Sequence, residues 1–483
     1  MINDCFIKEL EMLKERYSRE ELLDTLNKYG VLENDYRIKG TLSFYEQHGN
    51  VDLHEIKGNK FNNESFEFIK RVLAGDLVVP EFDLFSKRIE SLYSLVSQNK
   101  SGNVADYIPQ LSRVNPEYFG VSVCTIDGQR YSIGDTDRYF ALQSVSKVIN
   151  YALALELNGE DKVHQHVGRE PSGLAFNSLS LNHNNIPHNP MINAGAIMTS
   201  SLIKPHDSMH DRLDLIMKTW QKMMGGQEPI YNDKMYKSEK KTADRNFALF
   251  YFMREHKAFA EHFNIDKVID LYFKSCSIEV KCADLAIAAA TLANSGICPF
   301  SNDRVFESDT VKDVVSLMST CGMYDFSGEY FFKVGVPTKS GVSGALMLVI
   351  PNVMGISIWS PRLDDFGNSV RGVEFCEELV KLYNLHIFDG INRHAHKLDP
   401  RRDGKRACIE RSALLCSAAK FNDISELKRL ISLGVDVNTQ NFDGRTALHV
   451  AIDSGSEAAI KFLLDNGANR DLVDRWGNKP AFS

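Results

Sequence analysis

Two stretches of β character bracket a long helical stretch, and that bracketing limits the fold more than any other feature of the chain. The first, "YFGVSVCTIDGQRYSIGD" (residues 118–135), alternates apolar and polar residues around Asp127-Gly128. That dipeptide is a strong hairpin signal. The second, "YFFKVGVPTKSGVSGALMLVIPNVMGISIWSP" (residues 330–361), carries apolar runs with glycines at the turns. Residues 147–330 between them are mostly helical in pattern. Strands at both ends predict one sheet drawn from the start and the finish of the domain, with helices packed over it. That is an α+β fold. Two segments inside the helical stretch, "NSLSLNHNNIPHNPMINAG" (177–195) and "GGQEPIYNDKMYKSEKKTADRN" (225–246), read as loop-rich interruptions.

The flanks differ in texture. Residues 1–100 read as a small helical bundle: "IKELEMLKERY", "REELLDTLNKYGV", "NESFEFIKRVLAG" and "PEFDLFSKRIESLYSLV" each place apolar residues at three-four spacing. The bundle is EF-hand-like in layout, but no D-x-D-x-D-G loop is present, so calcium binding is not expected. Towards the other end, "LLCSAAKFNDISELKRLISLGVDVNTQNFDG" aligns with "LHVAIDSGSEAAIKFLLDNGANRDLVDRWG" at a shift of 33 residues. Ala418 matches Ala451, Leu430 matches Leu463, Gly434 matches Gly467 and Gly444 matches Gly477. The period and "GRTALHVAIDSG" point to ankyrin repeats: two repeats and a truncated start of a third. So few repeats are expected to pack on another part of the protein, another subunit or another protein. The expected domains are 1–100 (helical), 101–395 (catalytic), 396–407 (linker) and 408–483 (ankyrin).

Bulk properties exclude several classes. A net charge of -8 disfavours nucleic-acid binding. The apolar runs fall short of a membrane span. Nine cysteines without a CxxC pair fit reduced thiols. The opening "MINDCFIKELEMLKERYSREEL" mixes acidic and basic residues, unlike a secretory signal or a mitochondrial presequence. A cytoplasmic location is therefore expected.

The chemistry turns on a serine three residues before a lysine, a spacing found six times, at Ser97, Ser144, Ser201, Ser238, Ser417 and Ser425. A nucleophilic serine needs a base within reach, backbone donors near a helix start, and a lysine desolvated enough to lose its proton. Only Ser144-Val145-Ser146-Lys147 follows a hairpin and opens a long apolar helix, "VINYALALEL". A late Lys339-Ser340-Gly341 at the start of a strand supplies the second element that penicillin-recognising hydrolases combine with SxxK. His164, His166, His183 and His188 lack metal-ligand spacing and read as loop histidines.

"YIPQL", "LQSVSK", "VGREPSGLAFN", "PHNPMINAGAI", "ADRNFAL", "CSIEV", "LANSGICP", "STCGMYDFSGE" and "KSGVSG", together with both strand segments, resemble the serine-dependent glutaminases over about residues 105–395. The helical front and ankyrin tail resemble the long, animal-type members. The resemblance implies a β-lactamase/transpeptidase-like catalytic domain and hydrolysis of L-glutamine to L-glutamate and ammonia. It further implies dimers or tetramers, no metal or organic cofactor and, as in the animal members, the mitochondrial matrix as the alternative location.

Carried over residue by residue, Ser144 matches the nucleophile and Lys147 its base. Tyr272 and Tyr324 match active-site tyrosines that contact substrate and help move protons. Tyr107, Asn193, Glu239 and Asn246 match substrate contacts. Val342 matches a second backbone donor to the substrate carbonyl, beside the Ser144 N–H. The types suit a zwitterionic substrate: Glu239 for the ammonium, and Asn and Tyr donors for the carboxylate. Read without the resemblance, Tyr272 in "VIDLYFKSC" is a core aromatic, Asn193 a turn or cap residue and Glu239 a surface charge. One loop departs from the pattern. Kidney-type members carry basic residues after "EPSGL", whereas Ala175 and Ser178 stand here. The resemblance therefore does not extend phosphate activation through that loop to this chain. Two other readings use the same features: a penicillin-recognising hydrolase, which the absence of an export signal disfavours, and an ankyrin scaffold with an inactive middle domain.

Overall fold

A computed structural model describes residues 16–48, 51–52, 63–260, 264–389, 397–401, 404–432 and 435–480. The chain divides into two compact units, residues 1–78 with 82–380, and residues 79–81 with 381–483.

The first unit opens with helices α1 (Arg19–Lys28), α2 (Lys39–His48), α3 (Asn63–Leu73) and α4 (Phe82–Val96). Ser18 caps α1 in a reciprocal box with Glu21, which accounts for its abrupt start. The apolar faces of α1, α2 and α3 meet in a core that includes Leu22, Leu26, Tyr45, Phe66 and Ile69. The segment read as a helix over residues 7–17 lies outside the described residues up to position 15. Its end is strand: β1 (Arg16–Tyr17) pairs antiparallel with β2 (Val51–Asp52). Arg37 ties this region to the hairpin turn by donating to the Asp127 carbonyl at 2.5 Å and the Gly128 carbonyl at 3.3 Å.

The β strands follow as β3 (Gly120–Thr125), β4 (Arg130–Gly134), β5 (Tyr139–Ala141), β6 (Ile230–Tyr231), β7 (Ile278–Lys281), β8 (Thr338–Gly341), β9 (Ala345–Ile350) and β10 (Met354–Trp359). Five of them form one antiparallel sheet in the order β4-β3-β10-β9-β8. The expected Asp127-Gly128 hairpin joins β3 to β4, with Gly128 at φ +82°. The sheet is built from both ends of the domain: Gly120 lies opposite Trp359. A second sheet, β5-β7-β6, was not legible in the sequence because its strands are two to four residues long.

Besides the short helical turns Pro109–Ser112 and Glu160–His164, the helices that follow are α5 (Ser146–Asn158), α6 (Asn193–Leu202), α7 (Met209–Met223), α8 (Asp233–Lys241), α9 (Asp244–Glu255), α10 (Ile265–Cys276), α11 (Cys282–Ala293), α12 (Ser308–Cys321), α13 (Ser327–Lys333) and α14 (Val370–Leu382). The α11 sequence "CADLAIAAATLA" has small side chains along its buried length, so its backbone can lie against the sheet. Gly355 in β10 is the matching gap: a Cβ there would sit 2.1 Å from the Ala290 nitrogen. Backbone cannot yield as a flexible side chain can, so Gly355→Ala is expected to destabilise by about 3 kcal/mol or more. Thermal unfolding of the variant checks this, and an unchanged Tm would contradict the packing.

One loop expectation is corrected. Residues 225–246 contain β6, all of α8 and the start of α9. The pattern "DKMYKSEKK" is too polar to show an apolar stripe. Local interactions make it helical: Asn232 caps the Met235 nitrogen at 3.0 Å, and Asp233 pairs with Lys237 one turn on.

The second unit contains α15 (Gly404–Lys420), α16 (Ile424–Ser432), α17 (Ala447–Asp453) and α18 (Glu457–Asp465). Helix α15 begins inside the segment expected to be a linker. The matched positions Ala418 and Ala451, and Leu430 and Leu463, are all buried in one core. Gly444 and Gly477 both hold left-handed turns, at φ +70° and +83°.

Candidate active site

Ser144 is held by a short, strained connection. Strand β5 pairs with β7, and the Leu142 N–H donates to the Ile278 carbonyl at 2.7 Å. Gln143 then takes φ +48°, unusual for a residue with a side chain, and turns the chain into a 3₁₀ turn over Gln143–Val145. Such a conformation costs about 1–3 kcal/mol and persists only where the surroundings impose it. Helix α5 follows at once, its residues Ser146–Leu155 all buried. The Ser146 hydroxyl donates back to the Gln143 carbonyl at 2.7 Å and so braces the turn; it also hydrogen-bonds Cys276.

Lys147 lies one turn from Ser144, with Nζ 2.6 Å from the Ser144 hydroxyl and 2.9 Å from Asn193 Oδ1. Only 1% of Lys147 is exposed. Burial without a paired carboxylate penalises the ammonium and lowers its pKa to about 8.

Strand β8 explains why Lys339-Ser340-Gly341 belongs beside this turn. A Cβ on Gly341 would lie 2.7 Å from the Leu142 carbonyl, so glycine lets β8 approach the segment bearing Ser144. Lys339 is fully buried and donates to the Gly322 carbonyl at 3.1 Å and the Ser340 carbonyl at 2.6 Å. The Ser340 carbonyl also accepts from the Tyr324 hydroxyl at 3.2 Å, and that hydroxyl hydrogen-bonds Ser144 as well. Tyr324 is the second left-handed residue at the site, at φ +55°.

Glu239, on α8, is 7% exposed and lies in the pocket wall. Its Oε1 accepts from Gln143 Nε2 and from the Tyr107 hydroxyl, both at 2.8 Å. Desolvation nevertheless raises its pKa, outweighing these two hydrogen bonds and the attraction of Lys147. Asn193, at the start of α6, passes its Nδ2 to Asn246 Oδ1 at 3.1 Å.

One pocket gathers Tyr107, Ser144, Asn193, Glu239, Asn246, Tyr272 and Val342. Lys147 lies beneath it against Ser144. Tyr324 lines the adjoining cavity and is linked through Ser340 and Ser144. Every site residue expected from the sequence therefore falls in one neighbourhood. Gln143, Phe176, Asn177, Thr242, Arg245, Phe273 and Cys276 also line the pocket and were not singled out. Gln143 sits directly before Ser144, and its adjacency was the available signal. Phe176 tilts onto Tyr324 with ring centroids 4.8 Å apart.

An α+β fold with a buried serine–lysine pair beside a Lys-Ser-Gly strand defines a β-lactamase-like protein. The family model described as Glutaminase matches residues 102–388, and one described as Ankyrin repeats (3 copies) matches residues 376–481. The chain is 45% identical over 476 residues to "Glutaminase liver isoform, mitochondrial" of Rattus norvegicus, covering 97% of this chain and 79% of that protein. It is 45% identical over 316 residues to a "Glutaminase" of Nostoc sp., covering 65% of this chain and 93% of that protein. Among solved structures, "Probable glutaminase from Bacillus subtilis complexed with 6-diazo-5-oxo-L-norleucine" aligns with TM-score 0.56 and 32% identity, covering 62% of this chain and 94% of that one. The chain belongs to the glutaminase family, with ankyrin repeats in its C-terminal part.

Proposed function

We propose that the chain hydrolyses the side-chain amide of L-glutamine through a glutamyl ester on Ser144. The observation that carries this reading is the 2.6 Å contact between Ser144 and a buried Lys147 on the floor of a pocket walled by Glu239. Neutral Lys147 takes the Ser144 proton as the hydroxyl oxygen attacks the amide carbon. The backbone N–H groups of Ser144 and Val342 receive the oxyanion. The C–N bond then breaks, the nitrogen gains a proton relayed through Lys147 and the Tyr272 and Tyr324 hydroxyls, and ammonia leaves. Water cleaves the ester in the reverse sense and releases L-glutamate. Glu239 holds the substrate ammonium, with Tyr107 bracing the carboxylate, and Asn193 and Asn246 donate to the substrate carboxylate. No metal or organic cofactor enters these steps.

The first unit works as a homodimer or homotetramer, and the ankyrin repeats dock on another subunit or another protein. The free, buried thiols Cys124, Cys276, Cys282, Cys298, Cys321, Cys376 and Cys416 suit a reducing compartment, the cytoplasm or the mitochondrial matrix.

Ammonia release from L-glutamine by the purified chain tests the reaction. Glu239→Gln tests the ammonium subsite: KM is expected to rise by at least about thirtyfold, since a buried charge on the substrate loses its partner. An unchanged KM would remove Glu239 from substrate binding.

A further inference from the structure

Glu239 and Tyr272 enter the pocket from two neighbouring helices, α8 and α10, and the outer sides of those helices are cross-linked. Lys240, the residue after Glu239, places Nζ 2.6 Å from Asp270 Oδ1, two residues before Tyr272. One turn back on α8, the Tyr236 hydroxyl hydrogen-bonds the same Asp270. One turn on along α10, Lys274 Nζ lies 4.3 Å from the Tyr236 ring centroid and 4.7 Å from that of Tyr231. It also donates to the Tyr231 hydroxyl at 3.0 Å. Tyr236 and Lys240 share one face of α8, and Asp270 and Lys274 share one face of α10. The two faces form a ladder of alternating charge and aromatic contacts. Residues one or two positions away on each helix point inward, with Glu239 7% and Tyr272 5% exposed.

We propose that Lys240 and Asp270 are positioning residues that fix the α8–α10 spacing and so aim the Glu239 carboxylate at the substrate ammonium. This rests on the reading of Glu239 as the ammonium subsite. The physical case lies in the short length and local stabilisation of α8. Few apolar groups hold it: Met235 and Glu239 are its buried residues. Its seat therefore depends on polar ties, and Lys240–Asp270 is the one adjacent to Glu239. The two side chains are 38% and 22% exposed, so losing either strands no deeply buried charge. The ladder bears first on how well one substrate group is gripped, since Lys240 adjoins Glu239, whereas Ser144 and Lys147 are carried by α5 and the turn before it.

The test compares kcat/KM for L-glutamine with that for 4-carbamoylbutanoate, which is the same molecule without its α-amino group. Lys240→Met and Asp270→Asn are each expected to lower the selectivity for glutamine about fivefold, with kcat on glutamine held within about twofold. Lys240→Arg is expected to keep the selectivity. The double charge swap Lys240→Asp with Asp270→Lys is expected to recover most of it, which a merely destabilised helix would not do. Glu239→Gln is measured alongside. If it collapses the selectivity while both single variants leave it at the parent value, the positioning role is overturned. If Glu239→Gln itself leaves the selectivity unchanged, the ammonium reading of Glu239 fails, and the proposal falls with it.

Discussion

Ser144→Ala is expected to lower ammonia release from L-glutamine by at least about 10⁴-fold, the scale seen when a nucleophile that acts as a unit with its base is removed. Ser146→Ala is expected to stay within about tenfold of the parent, since it loses a brace to the turn and not a reacting atom. The contrast is sharp because the two hydroxyls are two residues apart yet differ in partner. One meets Lys147 at 2.6 Å and the other is spent on the Gln143 carbonyl at 2.7 Å. Continuous ammonia assays on both variants, with unfolding curves to confirm that each is folded, decide the matter. A Ser146→Ala enzyme as inactive as Ser144→Ala would mean that the turn's strain is the larger contribution. An active Ser144→Ala enzyme would remove the ester mechanism.

Lys147 gives the second large effect, and it carries a pH signature. Its pKa is lowered to about 8 by burial, and in the proposed reaction the neutral amine accepts the serine proton. Below that value kcat/KM is expected to rise about tenfold per pH unit, then level off above it. Lys147→Arg keeps the charge but not the ability to lose it, so a loss of about 10³-fold or more is expected at every pH. The same burial makes a stability prediction of defined sign. The charged form is disfavoured in the folded state, so the unfolded chain binds more protons between the folded value near 8 and the ordinary lysine value of 10.5. Stability should therefore increase as pH rises through that window. Lys147→Met is expected to abolish turnover yet raise Tm at pH 7, because the buried ammonium costs about 3 kcal/mol there. A Tm that falls would show that the contacts to Ser144 and Asn193 outweigh the desolvation.

The parts of this protein that were legible in the sequence are those where one interaction dominates. The Asp127-Gly128 turn, the apolar strands β9 and β10 and the 33-residue repeat each have a strong local signature. Ser144 and Lys147 emerged from six equal spacings because only that copy opens an apolar helix. Glu239 shows where local reading stops. Its surroundings, "KSEKK", look solvent-facing, and it becomes a buried wall residue only because Gln143 and Tyr107 reach it from distant segments. Helix α8 was missed for a related reason, since caps and ion pairs stabilise it instead of an apolar stripe. The strain at Gln143 and Tyr324 was hidden altogether: neither residue type advertises a positive φ, and tertiary packing imposes it.

The order of strands in the main sheet carries a consequence for how the enzyme comes into being on the ribosome. Strand β3 emerges early, but its sheet partner β10 is among the last elements of the same unit to be made. Synthesis at about 5–20 residues per second leaves the Ser144 turn waiting many seconds for β8, the strand that packs against it. During that interval Ser144 and Lys147 exist without the strand that packs against their turn. A pairing this distant in sequence is slow to close and is won only once most of the first unit has been made. Assembly of the main sheet thus waits for β10, so chains released before residue 359 carry Ser144 and Lys147 without the finished sheet.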